Sequence, residues 1–354
     1  MIPDKYLNMS PEDLKKRIAK VKKKLGEELF ILSHYYQRDE IVEFADAVGD
    51  SYQLAKVGSE NGKAKYIVFC GVRFMAEVAS VLAKPDQKVF LPDPLAGCPL
   101  ADLADIEQVE SAWVELEKLG IANDLTPVTY INSSAELKSF CGRNGGATCT
   151  SSSAKKVLEW GLGKKSKIFF FPDENLGRNT AKSMGISKDE IALWDPQEEN
   201  GGVSAAELKR AKLILWKGFC HVHTFFTTDH VKDARKRYPG CKVIVHPESN
   251  EDVVDISDAS GSTAFIKKYV EEAKSGETII VGTEVSFVSR LARDNPSKRV
   301  VPLARSLCAN MFRVGLDDLT WTLDEIGKVN EIQVPDLTAK DAKLALDRML
   351  EIQL

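Results

Sequence analysis

Lys167-Ile168-Phe169-Phe170-Phe171-Pro172-Asp173 is the stretch that decides how this chain folds. A short apolar run closed by proline reads as a buried strand. It echoes Lys88-Val89-Phe90-Leu91-Pro92-Asp93, and each of the two follows another short strand by about 20 residues, as an internal repeat would. Working outward from this pair, β-rich runs fall into three groups. The first holds Leu29 to His34, Tyr66 to Cys70 and Val89 to Leu91. The second holds Val128 to Ile131, Ala147 to Thr150 and Ile168 to Phe171, with Lys212 to Trp216 as an extra strand closing it. The third holds Lys242 to His246, Thr278 to Val281 and Val300 to Pro302. Between them lie helical stretches, among them Ile41 to Asn61, Phe74 to Ala83, Ala135 to Phe140, Ala154 to Gly161 and Ala264 to Ser275. The alternation predicts an α/β protein with parallel sheets, made of three small units of about 100 residues each. The expected boundaries are 1–115 (with an N-terminal helix), 116–225 and 226–315, then a helical tail over 316–354.

Bulk composition sets the outer limits. The 354 residues, at roughly 150 per domain, suggest two or three domains. A hydrophobic share of 44% is globular rather than disordered. The formal net charge of −4 leaves no basic excess to neutralise phosphates, so no nucleic-acid partner is expected. The N-terminus carries no apolar run behind a basic start, and no apolar run approaches the ~20 residues of a membrane span. A soluble, cytoplasmic protein with no membrane partner is the expectation. Seven cysteines over so long a chain fit reduced thiols better than a disulfide framework. Ser10-Pro11-Glu12-Asp13 reads as a helix start. The lysines and Arg17 that follow alternate with Leu14, Ile18, Val21 and Leu25, as on the wet face of an amphipathic helix.

Reactive side chains gather at the carboxyl ends of the expected strands, where parallel sheets bind ligands. These are His34-Tyr35-Tyr36-Gln37, Tyr130-Ile131-Asn132-Ser133, Cys220-His221-Val222-His223, His246-Pro247-Glu248 and Thr283-Glu284. Of the five histidines, His34, His223 and His246 stand out at such ends. Histidine changes charge near neutral pH and can donate, accept or bind metal. Gly49-Asp50-Ser51 and Gly261-Ser262-Thr263 each precede a helical run and read either as anion sites or as plain caps.

Cysteine spacing is informative. With no C-x-x-C pair, a zinc ribbon or a ferredoxin-type run is excluded. Cys70, Cys141, Cys149 and Cys241 read as packing residues. Cys98, Cys220 and Cys308 each follow the closing strand of one group. Three thiolates from three units can hold zinc, or an iron–sulfur cluster with one iron unligated.

The blocks Ala45-Asp46-Ala47-Val48-Gly49-Asp50-Ser51, Cys70-Gly71-Val72-Arg73-Phe74-Met75-Ala76-Glu77 and Pro92-Asp93-Pro94-Leu95-Ala96-Gly97-Cys98 add to those above. So do Cys149-Thr150-Ser151-Ser152, Pro172-Asp173-Glu174-Asn175-Leu176-Gly177 and Cys308-Ala309-Asn310-Met311. In this order they resemble the quinolinate synthetase A family, from about residue 28 to residue 315. The resemblance implies three similar three-layer α/β/α units around a pseudo-threefold axis. It implies a [4Fe–4S] cluster held by Cys98, Cys220 and Cys308, with the fourth iron open as a Lewis acid. The implied reaction condenses iminoaspartate with dihydroxyacetone phosphate to quinolinate, losing phosphate and two waters, on the way to NAD. Functional coupling to an aspartate-oxidising enzyme follows as the partner expectation.

By the same resemblance Tyr36, His246 and Glu248 are the catalytic acids and bases. His34, Ser51, Tyr130, Asn132, Ser151, His223, Ser262 and Thr263 are the substrate-binding residues. Ser153 stands where the family often has Asn, and Cys141 to Ala147 reads as a small loop insertion. Arg305 replaces a cysteine that some members carry near the last ligand, so no redox switch is expected there. The competing readings are a zinc-dependent hydrolase built on the same Cys/His cluster, and an anion-binding or electron-transfer protein.

Overall fold

Short runs of two to six residues, the central ones rich in Ile, Val and Phe, make the strands of the computed structural model, which describes residues 2–353. The first sheet contains β1 (Leu29–His34), β2 (Ala47–Gly49), β3 (Tyr66–Cys70) and β4 (Lys88–Phe90). The second contains β5 (Leu125–Tyr130), β6 (Ala147–Cys149), β7 (Lys167–Phe171), β8 (Ile191–Trp194) and β9 (Leu213–Trp216). The third contains β10 (Lys242–Val245), β11 (Ala259–Ser260), β12 (Thr278–Gly282) and β13 (Arg299–Pro302). A short β14 (Glu331–Ile332) joins the first sheet antiparallel to β4. All other pairings are parallel, and helices flank the sheets, so the α/β class and the three similar units hold.

Strand order makes the likeness concrete. In every sheet the first strand is central, with the second on one side and the third on the other: β2-β1-β3-β4, β6-β5-β7-β9 and β11-β10-β12-β13. The connections leaving the first and third strands run in opposite directions, which opens a crevice between their carboxyl ends. One detail recurs at the start of the second strand. Asp46 Oδ2 accepts from Ile31 N at 2.8 Å, and Asp258 Oδ2 accepts from Val243 N at 2.8 Å. By register, Pro127 takes the place of Ile31 and Val243. Proline has no N–H to satisfy, and the residue equivalent to the two aspartates is Gly146. A Cβ on Gly146 would stand 1.9 Å from Pro127 O, so only glycine lets the backbones meet.

Three corrections to the sequence reading arise here. The run Ile41 to Asn61 is not one helix: it contains a helical turn (Asp39–Val42), β2, and a helix (Ser51–Glu60) capped by Asp50. The extra strand of the second sheet is β8 at its edge, whereas β9 occupies the place of β4 and β13. The segment Cys141 to Ala147 is no insertion loop either. It is the last turn of the helix Ala135–Arg143, a tight turn, and the start of β6.

The chain forms two compact units, Met1–Cys98 with Leu307–Pro335, and Pro99–Ser306 with Asp336–Leu354. In the first, helices Pro11–Leu25 and Leu316–Asp324 cover one face of the sheet with Leu14, Ile18, Leu316, Leu319 and Leu323. Ser10 caps the former as expected, and its lysines lie on the outer face, where Lys22 reaches Asp46. In the second unit the helix Asp336–Gln353 packs on the helix Ala135–Arg143. Gly142 is the contact point, since a Cβ there would stand 1.8 Å from Asp341 O. Gly142→Ala is therefore expected to destabilise by about 2 kcal/mol or more, read as a lowered thermal midpoint. Gly163→Ala, a helical position with nothing within 4 Å, should be neutral or stabilising.

Candidate active site

The first strand of each sheet ends in the same turn. After β1, β5 and β10 come His34-Tyr35-Tyr36, Tyr130-Ile131-Asn132 and His246-Pro247-Glu248. In two of them the histidine is fixed by its own turn: Tyr36 N donates to His34 Nδ1 at 3.1 Å, and Glu248 N donates to His246 Nδ1 at 3.4 Å. An Nδ1 that accepts places the proton of a neutral imidazole on Nε2. His34 and His246 therefore each present an Nε2–H donor.

Within the second unit, the turn after β10 meets the turn after β9. His223 Nδ1–H donates to Glu248 Oε2 at 2.6 Å, and His223 Nε2 lies 3.1 Å from Thr283 Oγ1 beyond β12. The rings of His223 and His246 stack at 4.2 Å. His223, His246 and Glu248 are 2%, 3% and 2% exposed. Burial alone would push the Glu248 carboxyl up. The electrostatic pull of the His246 and His223 rings, with hydrogen bonds from His223 and Tyr130, outweighs it and holds Glu248 below the ordinary range. Glu248 is thus an anion sealed from water.

Asp173, at the end of β7, is the counterpart. It is fully buried; burial and then the charge of Glu248 push its carboxyl well above the usual value. Its Oδ1 accepts from Leu176 N at 2.8 Å and caps the helix Glu174–Ser183, while Oδ2 has no partner. The two buried carboxyls are thus pushed in opposite directions, Asp173 up and Glu248 down.

The remaining expected site residues take matching places. Asn132 follows β5, Ser151 follows β6, and Ser262 and Thr263 follow β11. Ser262 caps the helix Thr263–Glu272 through Phe265 N at 3.3 Å, and Ser51 opens the helix after β2. Ser153 is buried and holds Thr150 N at 2.8 Å. Glu284 likewise caps Ser286 and Phe287 N–H groups and is structural. His34, Tyr36, Ser51, Cys98 and Cys308 belong to the first compact unit. The network Tyr130, His223, His246, Glu248 lies in the second. Sequence reading passed over Asp173 as a site residue and named Thr283 at a strand end without giving it a role.

The cysteines divide by environment. Cys70, Cys141, Cys149 and Cys241 are buried, and burial raises all four thiols, Cys70 to about 12. Thiolate is the metal-binding form, so these are poor ligands. Cys98, Cys220 and Cys308 are half-buried, and each stands before a short helical turn. In the first unit the segments of Cys98 and Cys308 are tied together. Asn310 Nδ2 donates to Gly97 O at 2.8 Å, and Arg313 pairs with Asp93 at 2.7 Å. In the second, donor atoms of Cys220, His223 and Glu248 lie within 4.8 Å of one another, a group able to hold a metal ion.

Comparison with known proteins bears directly on this arrangement. Residues 16–351 match the family described as quinolinate synthetase A protein. The chain belongs to that family. Quinolinate synthase from Bacillus cereus (strain ATCC 10987 / NRS 248) is 48% identical over 99% of this chain and 96% of its own length. Quinolinate synthases from Bacillus thuringiensis subsp. konkukian and Bacillus anthracis are each 47% identical over the same shares. Membership of the quinolinate synthetase A family makes the chain an enzyme. No described helix is long and apolar enough to cross a membrane.

Asp318, near the Asp93–Arg313 pair, provides a pH test of the first unit. Burial, and then the charges of Asp317 and Asp93, raise its carboxyl to about 7 against the hydrogen bond from Gly315 N. Folding therefore takes up a proton, and stability falls as pH rises from the ordinary carboxylate range towards 7. Asp318→Asn should raise the thermal midpoint at pH 8 and leave it nearly unchanged at pH 4.

Proposed function

We propose that this enzyme condenses iminoaspartate with dihydroxyacetone phosphate to quinolinate, releasing phosphate and two waters, as a step towards NAD. The observation that carries the reading is the buried Glu248 anion ringed by His223, His246 and Tyr130 at the carboxyl ends of parallel strands. Cys220 lies within reach of the same group. Cys98, Cys220 and Cys308 would hold a [4Fe–4S] cluster. The donor set fits, being three half-buried thiols in like settings, one beyond the fourth strand of each unit and beyond β9 in the second. Once bound, the cluster supplies a Lewis acid at its open iron that polarises a carbonyl or imine oxygen.

The side chains divide the remaining work. Pyridine ring formation needs repeated proton removal and two dehydrations, the task of general acids and bases. Glu248 is the proton acceptor of this group, and His246 offers its Nε2–H as a hydrogen bond to a leaving oxygen. Tyr36 is the acid on the first turn, beside His34 at a ring distance of 4.7 Å. Hydroxyl, amide and imidazole donors at Ser51, Tyr130, Asn132, Ser151, His223, Ser262, Thr263 and His34 hold carboxylate and phosphate oxygens. The reading carries with it a cytoplasmic location, units at 1–115, 116–225 and 226–315, and coupling to an aspartate-oxidising enzyme.

A zinc-dependent hydrolase is the second reading, favoured by the Cys220, His223, Glu248 group. One experiment separates them. Anaerobically purified protein should contain iron and sulfide and make quinolinate from the two substrates. Cys98→Ala, Cys220→Ala and Cys308→Ala should each lose the iron–sulfur absorption band, whereas Cys241→Ala keeps it. One equivalent of zinc without sulfide, and no quinolinate, would support the hydrolase.

A further inference from the structure

The turn that carries Glu248 needs two hydrogen bonds that its own residues do not supply. Ser249 N is satisfied by His246 O at 3.0 Å and Glu248 N by His246 Nδ1. The carbonyls on either side of Glu248 are then left to find donors, and a buried carbonyl without one is costly. Both are taken by one group: Asn179 Nδ2 donates to Pro247 O at 2.8 Å and to Ser249 O at 2.8 Å. Two carbonyl acceptors settle which end of the amide faces the turn. Asn179 belongs to the helix Glu174–Ser183, which follows β7 and is capped by Asp173, so it reaches from the second sheet to the third.

The same device occurs at the equivalent turn of the second sheet. Lys138 Nζ, fully buried, donates to Ile131 O at 2.8 Å and to Ser133 O at 2.5 Å, the carbonyls on either side of Asn132. In both turns one nitrogen pins the two carbonyls that flank the third residue of the turn. Recurrence at matched positions, by residues of different type on different helices, argues against coincidence.

The geometry points to Asn179 as a positioning residue that fixes the direction of Glu248 and, through it, the ring of His223. The kinetic part of this inference rests on the function proposed above; the structural part does not. Lys182, one turn further along the same helix, binds Glu251 and Asp255 instead of the turn. It is therefore the control for general anchoring of the helix.

The test is histidine-labelled nuclear magnetic resonance of the whole protein, with the five histidines assigned by single substitutions. Asn179→Leu should lose the low-field His223 Nδ1 proton signal and lower kcat by about tenfold to a hundredfold, with KM changed by less than about threefold. Lys182→Met should keep both signal and kcat. A retained His223 signal in Asn179→Leu overturns the proposal whatever the activity. If that variant does not fold, Asn179→Ser is read in the same way. Wild-type protein that makes no quinolinate would refute the proposed reaction and leave the resonance test intact.

Discussion

A carboxylate that water cannot reach must be held by donors and positive charge, and the region around Glu248 is arranged to meet that demand. Its charge is balanced by two imidazoles and a phenol hydroxyl rather than by a lysine or arginine. Imidazole and phenol can both give up and regain protons, whereas a guanidinium cannot. The same requirement explains Asp173. A second buried carboxyl, pushed upward by burial and by the charge of the first, is consigned to capping a helix.

Repetition is how the fold assembles such a site. Each sheet presents the end of a central strand, a helix start after the second strand, and a cysteine beyond the fourth-strand position. The residue types differ from unit to unit while the backbone positions agree. His34, Tyr130 and His246 stand first in their turns, and Tyr36, Asn132 and Glu248 third. The exchange of Asp46 and Asp258 for Gly146 opposite Pro127 shows the same economy at a purely structural position.

Much of this was legible in the sequence because the central strands are dense apolar runs. Leu29 to His34, Tyr66 to Cys70 and Ile168 to Phe171 coincide with strands, or lie within one. The edge strands β6 and β13 were legible as well, but other edges were not. β2, β11 and β14 have two or three residues each, too few to show an alternating period. Ala47-Val48-Gly49 was therefore absorbed into a neighbouring helical pattern. At the site, residues on strand ends could be named, but Asn179 and Lys138 could not. Each is an ordinary polar residue on a helix, and its role exists only through carbonyls brought to it by the tertiary fold. Ser153 was visible as a departure from the family pattern, while its buried bond to Thr150 was not.

The account ultimately joins an acid–base network to three half-buried thiols that would leave one iron of a cluster open. Mössbauer spectroscopy of anaerobic, iron-labelled protein, before and after adding quinolinate, tests that union most directly. The account predicts four irons per chain, with one shifted by the added oxygen ligands and three unmoved. Iron that responds as a single class, or no iron–sulfur signal at all, would contradict it.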